Sequence, residues 1–177
     1  MYNRIMNVYR FESLAAPVNI DYQNLLTFNA LLPIRDIMAY NAKCLAMQDE
    51  PEKAVAVLDK MQAVMPEKNF PLNSSLLSTG NDMAVMDAVS VYLACGEMEK
   101  GQKLGDRFID ETLKHITLFS KPYQGEIFSW ENIQKNIYYL VWMSDTYKAA
   151  GLTEKADNLR KQADSYVKIF TGKSLPE

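Results

Sequence analysis

The sequence predicts an all-α chain made of three stacked antiparallel helical hairpins. Three observations lead there. Apolar residues recur at spacings of three and four along most of the length, the period of one face of an α-helix. Glycine and proline number only 7 each in 177 residues, too few for the many tight turns of a sandwich or barrel. A large residue, a turn residue and a small residue also return three times at one fixed spacing. Composition agrees with a folded core: 48% hydrophobic, 23% charged and 11% aromatic exclude a disordered or collagen-like chain.

The elements follow in order. Residues 1–20 lack periodicity, yet carry Tyr2, Ile5, Met6, Val8, Tyr9 and Phe11. So many apolar groups do not suit a free tail, and an N-terminal extension packed on the first hairpin is expected. A helical-repeat domain is expected over 21–177, with hairpins at about 21–66, 79–119 and 129–170. From about Asp21 to Met47 the pattern is helical, and Pro33 can either sit in a first turn or kink the segment. Pro51 opens the return helix, whose stripe is Ala54, Val57, Leu58, Met61, Val64 and Met65, and Pro66 stops it. Glu67 to Ser78, with Pro71 and an Asn-Ser-Ser cluster, reads as a loop. Thr79 followed by Asp82 suits the N-terminal cap of a helix reaching about Cys95. The next helix runs from about Glu97 to Phe119 on a seam of Leu104, Phe108, Thr112, Ile116 and Phe119. Pro122 and Gly125 make Lys121 to Phe128 a loop, and Ser129 caps a helix to Ala150. The last helix, about Thr153 to Phe170, is the cleanest: Ala156, Leu159, Ala163, Tyr166, Val167 and Phe170 share one face, with Lys155, Asp157, Arg160, Lys161, Asp164 and Lys168 facing away.

The repeat itself reads Asp49-Glu50-Pro51-Glu52-Lys53-Ala54, then Gly96-Glu97-Met98-Glu99-Lys100-Gly101, then Gly151-Leu152-Thr153-Glu154-Lys155-Ala156. Leu45, Tyr92 and Tyr147 stand at the same offset before each turn residue. The turn residue ends the first helix, and glycine takes the left-handed conformation there at low cost. Ala54, Gly101 and Ala156 let the second helix approach closely, while the large residue fills the gap. Such a hairpin cannot bury its face alone and must stack on neighbours.

Tyr147, Gly151 and Ala156, and likewise Tyr92, Gly96 and Gly101, resemble the aromatic, glycine and alanine spacing of the tetratricopeptide repeat. Ala54 and Pro66 match that motif's second-helix alanine and closing proline. The chain departs from the motif in three ways: Asp49 replaces a glycine, the motif's tryptophan is missing, and the copies lie farther apart than about 34 residues. The resemblance implies a right-handed α-solenoid.

A second resemblance covers nearly the whole chain. The order Tyr-Asn-Arg-Ile-Met-Asn-Val-Tyr-Arg-Phe, then Asn-Ile-Asp-Tyr, a helix ending at Cys44 to Met47, and Glu-Lys-Ala-Val-Ala-Val-Leu-Asp-Lys-Met with a closing Met-Pro is similar to the soluble C-terminal region of a family of large bacterial multi-pass membrane proteins of uncharacterised function. Their membrane part is similar to protein O-mannosyltransferases. The resemblance implies a membrane part preceding residue 1 and a location at the extracytoplasmic (periplasmic) face of a bacterial inner membrane. It carries no catalytic residue onto this chain. Taken without it, the chain reads as soluble and cytoplasmic. Its longest apolar or aromatic run, Ile137 to Met143, is far short of the roughly 20 residues of a membrane helix, and its start lacks a signal-peptide core.

Charge and chemistry narrow the function. With 19 basic against 22 acidic residues, a net charge of −3, nothing favours nucleic acid as a partner. Cys44 and Cys95 read as buried thiols among apolar neighbours, and sequence alone does not decide whether they pair. His115 is the single histidine and reads as a packing or surface residue within a helix. No metal site of ordinary ligand spacing can be assembled. Glu97 and Glu99 sit where carboxylates favour a helix start. Gly172-Lys173-Ser174 imitates a phosphate loop but lacks the upstream glycine, where Val167 stands. No catalytic, cofactor-binding or metal residue is expected.

Surface remains. Tyr123, Phe128, Trp130, Tyr138, Tyr139, Trp142 and Tyr147 crowd the third hairpin. Tyr139 and Trp142 lie off the stripe of Ile133, Ile137, Leu140, Ser144 and Tyr147, so their face is either a binding platform or covered by a second neighbour. The candidate contact residues are Tyr139, Trp142, Lys135, Trp130 and Tyr123. The expected function is a non-catalytic helical-repeat interaction domain that contacts a protein or peptide, its own membrane domain included. The alternative is an accessory domain of a membrane glycosyltransferase that touches the glycan or its acceptor.

Overall fold

The computed structural model describes residues 1–16, 22–75, 82–120 and 130–175, with side chains left aside over 22–30. Every regular element among them is helical. The six α-helices are α1 (Tyr22–Met47), α2 (Pro51–Val64), α3 (Met83–Ala94), α4 (Met98–Phe119), α5 (Trp130–Ala149) and α6 (Thr153–Thr171), preceded by short turns at Arg4–Val8 and Glu12–Ala15. Pro33 lies inside α1. Pro51 opens α2, where its missing N–H and fixed φ cost least. Asp82 flanks α3, whereas the expected caps Thr79 and Ser129 lie outside the described residues. No helix among the described residues is long and apolar enough to cross a membrane.

One hydrogen-bonded turn is built three times. Asp49, Gly96 and Gly151 have φ of 61°, 83° and 79°, the left-handed conformation that ends a helix. After each, the next N–H reaches back to the carbonyl of the large residue: Glu50 to Leu45 at 3.0 Å, Glu97 to Tyr92 at 2.9 Å and Leu152 to Tyr147 at 2.9 Å. The turn residue's own N–H donates to Ala46, Leu93 or Lys148 at 3.2, 3.1 and 3.0 Å. These paired bonds are the Schellman closure, which satisfies carbonyls the helix end leaves open. The return helix starts at once, because Ala54, Gly101 and Ala156 donate to Glu50, Glu97 and Leu152 at 3.1, 2.9 and 3.0 Å. One residue therefore closes the first helix with its N–H and opens the second with its carbonyl.

Contacts gather the chain into two compact units, Met1–Gly105 and Asp106–Glu177. In the first, α1 packs on α2 and α3, and α2 on α3. Its core holds Met38, Ala42, Val57, Leu58, Met61, Met86 and Val89, and Lys43 bridges α1 to Asp87 of α3 at 2.8 Å. The stretch after Pro66 is a buried plug: Phe70, Leu72, Asn73 and Ser74 are each less than 4% exposed. Arg35 of α1 donates to the Phe70 and Pro71 carbonyls at 2.7 and 2.9 Å, and Ser74 donates its N–H and hydroxyl to Asp82 at 2.9 and 2.6 Å. The N-terminal turns lie against α2. Ile5 is fully buried, Lys60 holds the Met6 carbonyl at 2.9 Å, and Asn69 holds those of Leu14 and Ala16 at 2.8 and 2.6 Å.

In the second unit α5 packs on α6. Ile133, Leu140 and Met143 of α5 and Ala163 of α6 are fully buried, and the Ser144 hydroxyl donates to the Ala156 carbonyl across the hairpin at 2.9 Å. Gly172, with φ of 70°, caps α6 through an N–H to the Lys168 carbonyl at 2.9 Å. Gly172-Lys173-Ser174 is thus a helix stop. Cys44 and Cys95 are free thiols and only half-buried, which corrects the expected burial: each lies in the last residues before its turn, where the helix end meets solvent.

Candidate functional site

The aromatic helix α5 divides its rings between core and surface. Tyr139 is 1% exposed, with its ring centroid 5.5 Å from that of Phe108 and the Lys135 ammonium 5.8 Å away. It is a core residue, so its assignment as a contact residue is corrected. A helix carries two buried faces when α4 residues cover one side and α6 the other, and Phe108 supplies that second cover. Trp142, Lys135 and Trp130 are half-buried. Trp130 leans on Phe170 of α6, centroids 5.9 Å apart, which makes it part of the hairpin's end. Tyr123 lies outside the described residues.

The residue missed in sequence is Tyr138, 51% exposed. Lys135, Tyr138 and Trp142 follow the i, i+3, i+7 spacing of one helix face; Tyr139, at i+4, fits a helix face equally well, and only its burial separates it from Tyr138. Lys135, Tyr138 and Trp142 form a strip of two aromatic rings beside a cation on the solvent side of α5. Flat amphipathic rings of this kind anchor contacts at low entropic cost.

A second set of side chains joins hairpin to hairpin. The Tyr92 hydroxyl donates to Asp59 of α2 at 2.9 Å, and Lys100 reaches the other oxygen at 2.8 Å. The Tyr147 hydroxyl donates to Asp106 of α4 at 2.8 Å, and Lys155 reaches both its oxygens at 2.8 and 2.6 Å. Each lysine also hangs over its tyrosine ring, 5.9 and 5.3 Å from the centroid. Burial, and next the carboxylate bond, hold both phenols well above the usual tyrosine range. These clasps were legible as an offset: Asp59 and Asp106 stand equally far after Ala54 and Gly101. Their tyrosine partners stay protonated at ordinary pH and donate to the carboxylates, so the clasps position helices.

Other candidates are accounted for by packing. His115 is half-buried and meets Phe119 edge-on, centroids 6.2 Å apart. Glu97 lies 3.6 Å from Lys100 at the start of α4. Burial raises the Cys95 thiol above its ordinary range, the opposite of an activated nucleophile. Among the described residues, no group of three or more His, Cys, Asp or Glu side chains could hold a metal ion. Neither protein-family models, curated proteins nor solved structures match the chain.

Proposed function

We propose that this chain is a non-catalytic, tetratricopeptide-like interaction domain that works by contact, using the Lys135–Tyr138–Trp142 strip of α5. The observation that carries this is the thrice-built turn with its two Tyr–Asp–Lys clasps. Repeating hairpins joined by one recurrent device are how helical arrays hold first-helix faces in register for a partner. The sequence resemblance supports a place as the extracytoplasmic part of a membrane glycosyltransferase-like protein.

Trp142→Ala and Tyr138→Ala test the strip. A chain with either change should keep its helical spectrum and melting temperature within a few degrees, because both side chains reach solvent. Binding of its protein or peptide partner should weaken by about 2 kcal/mol or more, the scale of an aromatic anchor. Unchanged binding by both variants would remove α5 from the contact surface. Binding of the parent chain to arrayed glycans, lost in Trp142→Ala, would favour the glycan-contacting alternative.

A further inference from the structure

We infer that the solvent face of α1, a stripe of Pro33, Ile37, Tyr40, Cys44 and Met47, pairs antiparallel with the same face of a second copy of this chain. The inference is independent of the α5 contact reading. Steps of four, three, four and three residues set these five side chains along one line of the helix. That line lies opposite Met38, Ala42 and Leu45, which α1 buries. Ile37, Tyr40 and Met47 are 48%, 67% and 81% exposed, Pro33 is exposed and Cys44 is half-buried. A helix that is apolar on both sides calls for cover on both. The last helix shows the contrast. There α6 turns Asp157, Lys161, Ser165 and Lys168 to solvent, the polar outer face that a terminal helix of stacked hairpins needs. Alternation of four and three is also the spacing at which one helix packs along another.

Charge names the occupant and its direction. Between residues 33 and 47, α1 carries Arg35, Asp36 and Lys43 and no other charge. Arg35 is buried and bound to the Phe70 and Pro71 carbonyls. Asp36 and Lys43 stand seven residues apart on one flank of the stripe, while Asn41 and Gln48 on the other are uncharged. The N-terminal segment, with Arg4, Arg10 and Glu12, faces Ile34 and Ile37 from that second flank. Asp36 is exposed and joins no ion pair among the described residues, and the charges it senses, Arg35 and Asp82, oppose one another. Lys43 meets Asp87 at 2.8 Å, but that carboxylate is 16% exposed and the lysine 47%, so an approaching helix meets the cation. A two-fold axis repeats every contact. Set antiparallel with Ile37 over Tyr40 of the copy, the stripe also sets Pro33 over Cys44, and Asp36 faces Lys43 twice. Sliding by one heptad brings Asp36 against Asp36 in one direction and Lys43 against Lys43 in the other, which like charge opposes. A parallel pair leaves both charges facing Asn41 and Gln48. Only a second copy draws on that self-complementarity. The stripe is about 21 Å long and one helix wide, an interface of the weak, transient class.

Analytical ultracentrifugation of the full chain should show a reversible dimer with a dissociation constant in the micromolar range. Tyr40→Glu, at an exposed position that keeps the fold, should be monomeric, and Trp142→Ala should dimerise as the parent does. Asp36→Lys and Lys43→Glu should each associate at least tenfold more weakly, because each sets like charges face to face. Mixed in equal amounts, the two should regain parental affinity, since their heterodimer restores both opposite pairs. A loss of fold could not be repaired that way. Oxidation of Pro33→Cys in a Cys95→Ser background should link position 33 to Cys44 of the copy. A parent chain still monomeric at millimolar concentration overturns the proposal. So does a dimer that survives Tyr40→Glu, or a mixture no tighter than its components. A Cys44–Cys44 link in the oxidised parent marks a parallel pair and overturns it as well. Sedimentation with phosphatidylglycerol vesicles that Tyr40→Glu abolishes, with no dimer formed, would give the stripe to a membrane surface and likewise overturn it.

Discussion

The joint that Asp59 makes with Tyr92 and Lys100 and the joint that Asp106 makes with Tyr147 and Lys155 use the same residue types in the same order, yet they differ in grip. Lys155 reaches both oxygens of Asp106, at 2.8 and 2.6 Å, whereas Lys100 reaches one oxygen of Asp59 at 2.8 Å and lies 3.6 Å from Glu97. The carboxylates are equally open, 47% and 48% exposed, and the lysines 43% and 40%. Surface pairs of that kind contribute about 0–1 kcal/mol. The tyrosines, in contrast, are 2% and 1% exposed. The strength of both clasps therefore lies in a buried ring and its phenol–carboxylate bond, and the lysine mainly sets direction. The small residues differ too. A Cβ on Gly101 would sit 2.7 Å from the Leu93 side chain, while Ala156 already carries a Cβ and is spanned by the Ser144 hydroxyl.

The largest effect should come from crowding those two close approaches. Gly101→Leu should destabilise by about 3 kcal/mol and Ala156→Leu by about 2, the first more because its Cβ alone collides. Urea unfolding of the two variants gives the order directly. A milder result for Gly101→Leu would mean that α3 and α4 separate more easily than α5 and α6. Next comes Gly151→Val. Apart from its neighbours in the chain, nothing lies within 4 Å of a Cβ placed there, so its cost of about 2 kcal/mol would be backbone strain from a φ of 79°. A thermal melt matching the parent would show that the third turn can relax to negative φ.

Deleting the phenol oxygens isolates the clasps. Tyr92→Phe and Tyr147→Phe keep the rings and should each cost about 1.5 kcal/mol, as for a hydrogen bond to a charged group. Lys100→Ala and Lys155→Ala should each cost less than 1. If the lysine variants prove the costlier pair, the ion pair dominates and the ranking above is wrong. The same phenols give a pH signature. In the folded chain their pKa values are raised above the unfolded value of about 10. Their contribution is intact below pH 10 and is lost as pH rises further, because only the unfolded chain releases the protons. Lys100, raised chiefly by its bond to Asp59, acts in the same direction. Stability should fall above pH 10 in the parent, and less steeply in the doubly Phe-substituted chain.

What sequence could and could not supply follows from range. Helix ends depend on neighbours a few residues away, so Pro51, Pro66, Gly96 and Gly151 announce them, and α2, α4 and α6 lie within a residue or so of the expected spans. The turn positions were legible for the same reason. Burial on a second face depends on residues far along the chain. Tyr139 looks like a free aromatic until Phe108 is placed against it. The stretch after Pro66 reads as a plain connection from its Pro, Asn and Ser content, yet Arg35 and Asp82 supply the polar partners that let Phe70 and Leu72 bury there. The clasps fall between these cases. Their offsets recur in the sequence, but a tyrosine at one offset and an aspartate at another gain meaning only once α2 and α3, or α4 and α5, are side by side. The first copy has Leu45 where the others have tyrosine. There Lys53 turns to Glu50 at 2.7 Å and lies 5.9 Å from the Tyr2 ring.

The smallest expected effect tests the copy that departs from the other two. Asp49 holds a φ of 61°, a conformation that costs a non-glycine residue about 1–2 kcal/mol in general and less for aspartate, whose short polar side chain tolerates it. Asp49→Gly removes that strain, but it also frees the unfolded chain, which offsets part of the gain. The side chain is exposed and enters no ion pair among the described residues, so little else is lost. The balance should be a stabilisation of about 0.5 kcal/mol, read as a rise of a degree or two in melting temperature. Asp49→Val, by the same argument, should lower it, since β-branching disfavours the left-handed turn that Glu50 needs to reach Leu45. Opposite signs for the two variants would place the first turn in the same conformational class as the glycine turns at Gly96 and Gly151. A loss in both would mean that the aspartate side chain itself stabilises the turn, and that the first hairpin closes by a different balance from its two successors.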